Sequence, residues 1–262
     1  MGLRINQNID AFNAYRNLSV TQGQMSKSLE KLSSGFRINR AADDAAGLAI
    51  SEGLRSQVGG LKVGVRNAQD GISVAQTAEG ALTEVHSMLQ RMNDLSVQYN
   101  NGTQNTDSKA ALGAEFGALQ TEVTRITDNA KFNGVTLFGG AALTFQVGSD
   151  AADKIDVSAT ALAAVNTSSA VITDSTTIQT AITTISAQRA ELGAVQNRFE
   201  HTIASTNVAI ENLSASESRI RDTDMASEMV QFTRSNILSQ AGTAMLAQAN
   251  QAPNGVLQLL RG

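Results

Sequence analysis

Apolar residues recur along most of this chain at alternating steps of three and four, the mark of helices that bury one stripe. An early block places Leu18, Met25 and Leu32 seven apart, interleaved with Leu29 and Phe36. A second runs Val58, Leu61, Val65, Ala68, Ile72, Ala75, then Leu82, Val85, Leu89, Met92 and Tyr99. At ~1.5 Å per residue, its roughly forty residues predict a rod of ~60 Å. The third block is Leu112, Phe116, Leu119, Val123, Ile126 and Ala130. A fourth sets Ile178, Ile185, Leu192, Phe199, Leu213 and Ile220 at multiples of seven, with Ile182, Val195, Ile203 and Ile210 between them. The last follows Met225, Met229, Phe232, Leu238, Met245, Val256 and Leu259. Pairing the first block with the last puts a terminal coiled-coil seam at Leu18, Met25, Leu29 and Leu32 against Met229, Phe232, Leu238, Met245, Val256 and Leu259.

Between the third and fourth blocks the period changes. FNGVTLFGG, LTFQVG and KIDVS are short β-type runs separated by Gly and Asp, and Asn133-Gly134 is a tight-turn signal. Residues 158–177 are rich in Ser, Thr and Ala and read as loop. The simplest packing folds the chain back at 135–175, laying the fourth block along the second and third and the last along the first. The fold class is therefore mainly α: a long antiparallel helical rod or coiled coil with a small β-hairpin region, plus a terminal two-helix coiled-coil domain. The expected division is 1–34 with 225–262 as the terminal pair, 35–44 as a connector, 45–139 with 178–224 as the rod, and 140–177 as hairpin and loop.

Composition supports long helices. The only Pro is Pro253, so nothing upstream of it carries the helix-breaking cost of ~3 kcal/mol. Aromatic residues make up 4% and Trp is absent, so area must be buried by Ala and Leu along seams. There is no Cys, which excludes disulfides and thiolate metal sites. The net charge of −4 gives no general attraction to nucleic acid. The opening MGLRINQNIDAF lacks the apolar run of a cleaved secretory signal, and no window approaches the ~18 apolar residues of a membrane span. The terminal stripes are narrow and diluted by Asn, Gln, Ser and Thr. An isolated pair of such helices is marginal in water, and unfilled seams of this kind suit a subunit that other copies complete.

Catalytic parts are not apparent. His86 and His201 sit in helical patterns without metal-ligand spacing, and no phosphate-loop, nucleophile-elbow or zinc-protease motif occurs. The glycines of VGGLKVG, residues 58–64, read as permitting close helix contact. The stretch SSGFRINRAADDAAGLAIS, residues 33–51, concentrates Arg37, Arg40, Asp43 and Asp44. Two carboxylates do not fill a hard-cation shell. The reading adopted is a joint: Gly35 ends one helix, Asp43 or Asp44 starts the next, and Arg37 and Arg40 find carboxylates or carbonyls across a domain or subunit boundary. No cofactor is expected.

LRINQNIDAFNAYRNL and LEKLSSGFRINRAADDAAGLAIS resemble the N-terminal signature of bacterial flagellin, and SRIRDTDMASEMVQFTRSNILSQAGTAMLAQANQAPNGVLQLLRG resembles its C-terminal one. QDGISVAQTAEGAL and FNGVTLF also fit. The resemblance covers about 1–140 and 180–262; hook–filament junction proteins share weaker forms of both ends and are the alternative. It implies a non-enzymatic structural subunit that self-assembles into the flagellar filament for swimming. It further implies export through the flagellar type III apparatus without a cleaved signal, an export chaperone at the C-terminus, and contact with the filament cap and hook–filament junction proteins. The location would be the extracellular filament, with no membrane insertion and no nucleic acid. The short middle implies that the large outer domains of longer flagellins are missing. LQRMNDLSVQYNN, residues 89–101, resembles the stretch recognised by the animal innate flagellin receptor. Carried over by position, Arg91, Leu95 and Gln98 form its stripe, Gln90 stands beside Arg91, and Glu115 is the acidic partner. The same face is expected to make an axial contact between subunits.

Overall fold

The computed structural model describes residues 8–165, 167 and 170–259, with side chains to Gln251. Five helices and four short strands follow one another: α1 (Ile9–Ser34), α2 (Ala45–Tyr99), α3 (Thr106–Asn129), β1 (Lys131–Phe132), β2 (Val135–Thr136), β3 (Leu143–Gln146), β4 (Lys154–Val157), α4 (Ser175–Arg221) and α5 (Met225–Leu259). The mainly helical class expected from periodicity is the class observed. At ~1.5 Å per residue, the 55 residues of α2 extend ~80 Å. Helix α5 continues past Pro253.

Every helix opens on an Asn or Asp whose side chain accepts backbone N–H groups left free in the first turn. Asn8 accepts from Ala11 at 3.0 Å, Asp44 from Gly47 at 2.8 Å and Asn105 from Ser108 at 2.7 Å. Asp174 accepts from Thr176 at 2.9 Å, and Asp224 from Ala226 at 3.0 Å. The strands make two antiparallel hairpins. In the first, Phe132 pairs with Val135 across Asn133 and Gly134, whose φ values of 46° and 81° match the two-residue turn that Asn-Gly favours. In the second, Leu143 pairs with Val157 and Gln146 with Lys154.

The chain divides into two compact units, Met1–Arg55 with Leu213–Gly262 and Ser56–Asn212. In the 56–212 unit, one continuous core joins α2, α3, α4 and the β3–β4 hairpin. Leu82, Val85, Leu89, Met92, Leu95, Ile178, Ile185, Leu192 and Phe199 are fully buried in it. Helices α2 and α4 run antiparallel here, with Gly71 facing the Phe199 ring and Glu79 paired to Arg189 at 3.6 Å. Phe199 also meets Phe145 of β3 edge-on, at 5.5 Å between ring centroids.

One face of α2 is kept thin so that the hairpin can lie on it. A Cβ on Gly64 would collide with the Val147 carbonyl, and one on Gly60 would crowd Ser149; Asn67 Nδ2 donates to Gln146 O at 2.8 Å. Close helix contact was expected at VGGLKVG, but Gly60 and Gly64 instead admit a β-hairpin backbone, while Gly59 meets nothing within 4 Å. Residues 158–165, 167 and 170–174 lie outside the regular elements and are held by side-chain amides: Gln188 donates to Ala163 O at 3.0 Å and Gln120 donates to Thr167 O.

Candidate functional site

Three chain segments of the terminal unit converge after α1. Gly35 ends that helix in the left-handed region, φ 77°, and its N–H donates to Lys31 O. The next residue, Phe36, forms a single antiparallel bridge with Asp222, flanked by Arg37 N–H to Arg221 O at 2.7 Å and Thr223 N–H to Gly35 O at 2.9 Å. The connector thereby pairs, backbone to backbone, with the break between α4 and α5. Ile38 is fully buried beneath it, in the space that Gly47 leaves open.

The charges of this stretch have separate duties. Arg37 donates to Ile220 O at 2.6 Å and lies 3.8 Å from Asp44. Arg40 pairs with Glu30 of α1 at 2.9 Å. Asp44 caps α2. Asp43 does not start the helix: its Oδ2 accepts the N–H groups of Arg40 at 3.0 Å and Asn39 at 3.2 Å. Those two N–H groups hold its carboxyl below the usual carboxylate range. The partners of both arginines lie in their own compact unit, and each serves to close the turn.

Sequence reasoning missed the residue at the centre of this joint. Arg221 pairs with Glu52 at 2.6 Å, its side chain only 15% exposed, and its guanidinium covers the Phe36 ring at 4.8 Å. The signal available was RIRDTDM itself: a basic helix end followed by two aspartates, too common a pattern to single out one arginine.

The α1–α5 pair is antiparallel, tied by Asn8 Nδ2 to Ala249 O at 2.7 Å and Lys31 to Glu228 at 3.9 Å. Its seam keeps a heptad register: Ala11, Ala14, Leu18, Thr21, Met25, Ser28 and Leu32 on α1, and Glu228, Phe232, Ser235, Ser239, Gly242, Leu246 and Ala249 on α5. The expected seam residues Leu18, Met25, Leu32 and Phe232 are half-buried there. The others are misplaced by the expectation: Leu29, Met229, Leu238 and Met245 are all exposed, and Val256 and Leu259 lie outside the residues whose side chains are described. The physical reason is that small residues take about half of the seam positions. Ser28 and Ser235 are its most buried positions, Leu18 packs over Gly242, and the remaining bulky side chains are turned outward. Phe12 is 72% exposed and Val230 70% exposed, joined by Tyr15, Val20 and Ile237. Along α5, Met229, Val230, Ile237 and Leu238 line a shallow apolar groove.

In the 56–212 unit, Arg91 of α2 holds Glu115 of α3 at 2.7 Å. Gln90 and Gln98 are exposed, with Gln90 Nε2 at 3.0 Å from His86 Nε2. Leu95 does not share their surface: it is fully buried in the core. It falls on the inward side of α2 with Leu82, Leu89 and Met92, so the stripe available to another molecule is Gln90, Arg91, Gln98 and Glu115. No group of three or more His, Cys, Asp or Glu among the described residues could hold a metal ion. No helix among them is long and apolar enough to cross a membrane.

Comparison with known proteins gives this arrangement a context. The model of the bacterial flagellin N-terminal helical region matches residues 5–142, and that of the C-terminal helical region matches 175–260. A flagellin of Halalkalibacterium halodurans is 53% identical, covering 98% of this chain and 99% of the relative. A flagellin of Bacillus subtilis is 47% identical over 99% and 100%. A flagellar filament 33 kDa core protein of Treponema phagedenis is 43% identical over 98% and 99%. With both helical ends matched and relatives spanned almost end to end, the chain belongs to the flagellin family, structural subunits of the bacterial flagellar filament.

Proposed function

We propose that this chain assembles with copies of itself through the outward apolar faces of α1 and α5. In this reading 1–34 with 225–262 form the filament's inner layer, 35–44 is the spoke that sets its position, and 45–139 with 178–224 form the rod around it. The observation that carries the reading is the thin seam with large apolar side chains left outside it. Phe12, Tyr15, Val230, Ile237 and Leu238 stand in solvent, while the seam mixes Leu18, Met25, Leu32, Phe232 and Leu246, all only half-buried, with Ala11, Ala14, Ser28, Ser235 and Gly242. Exposed apolar area on this scale marks an interaction surface. The occupant is a second copy, because the family builds homopolymers and a two-helix seam this thin gains stability when neighbours cover its outside.

Arg91, Glu115, Gln90 and Gln98 belong to an axial contact between copies, and in the free subunit they offer the same face to the animal innate receptor. Export by the flagellar type III apparatus, a chaperone on the C-terminal segment, and docking to the cap and hook–filament junction proteins complete the reading, with the extracellular filament as the location. A chain free of Cys suits passage in an unfolded state. The test is truncation. Removing 225–262 leaves the 56–212 core intact; the fragment is expected to stay folded and to give no filaments under conditions that polymerise the full chain. Normal filaments from it would overturn the reading.

A further inference from the structure

We propose that Met225, Met229 and Met245 form an oxidation-sensitive site on the assembly face, where peroxide-class oxidants switch polymerisation off reversibly. The inference rests on the assembly reading above. Met225, Met229 and Met245 are 48%, 51% and 64% exposed, all on α5, whereas Met92 is fully buried in the 56–212 core. Met25 and Met88 are half-buried. With no Cys and no Trp in the chain, no thiol or indole competes for the oxidant. Susceptibility follows sulfur access, so among the described methionines oxidation is directed to α5.

The step is a two-electron oxygen transfer. A thioether lone pair attacks one peroxide oxygen, the O–O bond breaks, an S–O bond forms and water leaves; sulfur is oxidised and peroxide reduced. Two thiols of a methionine sulfoxide reductase system reverse it, giving back the thioether, a disulfide and water. The location decides the consequence. In the free subunit a sulfoxide at any of the three positions points into water, so the fold is undisturbed. When a second copy covers the groove shared by Met229, Val230, Ile237 and Leu238, the sulfoxide oxygen must shed its water among apolar groups, which is unfavourable without a new hydrogen bond.

The full-length chain is exposed to hydrogen peroxide, freed of it, and followed by peptide mass mapping, thermal melting and light scattering with electron microscopy. Sulfoxide is expected at 225, 229 and 245 ahead of 92, with an unchanged melting temperature. The critical concentration for filaments should rise about tenfold or more, the equivalent of losing one well-buried apolar contact. Methionine sulfoxide reductase should restore it. In M225L/M229L/M245L, whatever its own critical concentration, the ratio between treated and untreated protein should stay near one. Peroxide-treated chain that polymerises as before, or a triple variant that remains as sensitive as the parent, overturns the inference alone. Untreated chain that never polymerises overturns the assembly reading and the inference with it.

Discussion

In the 56–212 unit the large side chains are inside: Leu82, Leu89, Met92, Leu95, Leu192 and Phe199 have no exposure. In the terminal unit the only apolar side chain so enclosed, among the described residues, is Ile38 at the joint. Elsewhere in that unit Phe12, Tyr15, Val230, Ile237 and Leu238 lie outward, while Ser28 and Ser235 lie inward. Both units come from helices with similar apolar periodicity, yet one consumes its hydrophobic surface in folding and the other reserves it. The first can be stable alone. The second is left with free energy to gain by association, which is what a polymerising subunit needs.

The contrast can be broken most severely in the core. Phe199→Ala removes the ring that fills the space above Gly71 and meets Phe145. It should cost about 3–5 kcal/mol, read by denaturant unfolding of the 56–212 unit. The glycines sharpen it next, because the same substitution should change sign. Gly64→Ala drives a methyl into the Val147 carbonyl, backbone that cannot yield without moving the hairpin, and should destabilise by about 1–3 kcal/mol. Gly242→Ala meets only the Leu18 side chain, nearest at its terminal Cδ1, 3.2 Å away, which can turn aside. Relieved of a helix-interior glycine, that variant should gain about 0.5–1 kcal/mol. Equal losses at both sites, seen in melting curves, would erase the claimed difference.

At the joint, Arg221→Ala removes the ion pair to Glu52 and the cover over Phe36. A loss of about 1–2 kcal/mol is expected, and α5 should show faster amide exchange while the 56–212 core stays protected. The smallest effect is Asp43. Its carboxyl is held low by the Arg40 and Asn39 N–H groups, so the folded pKa lies below the unfolded one. Its contribution is therefore complete above about pH 4 and disappears as pH falls through the folded value. Asp43→Asn should lower the melting temperature slightly at neutral pH and leave it unchanged in acid, which flattens the acid limb of the profile.

Much of the fold could be read from period alone. The blocks headed by Val58, Leu112 and Ile178 became α2, α3 and α4, and Asn133-Gly134 gave the turn it favours. The joint was half legible. Gly35, Arg37, Arg40 and Asp44 stand where turn and cap chemistry require them, but Arg221 and Glu52 come from segments 169 residues apart, and no local pattern links them. The seam was misread at Leu29, Met229, Leu238 and Met245 because size was taken as a guide to burial. In this thin coiled coil small residues, here Ala11, Ala14, Ser28, Ser235 and Gly242, share the seam with Leu18, Met25, Leu32, Phe232 and Leu246, and the other bulky residues lie outside. Leu95 failed for the opposite reason: sharing a helix with exposed Arg91 and Gln98 says nothing about which of the three the core claims.

The central claim is that the outward apolar side of α5 drives polymerisation and contributes little to the fold. The most direct measurement compares the critical concentration and melting temperature of the parent with those of I237S/L238S. Both residues are exposed, at 61% and 49%. The account predicts a melting temperature within about 2 °C of the parent and no filaments at concentrations where the parent polymerises fully. Filaments at the parent's critical concentration, or a collapsed melting temperature, would contradict it.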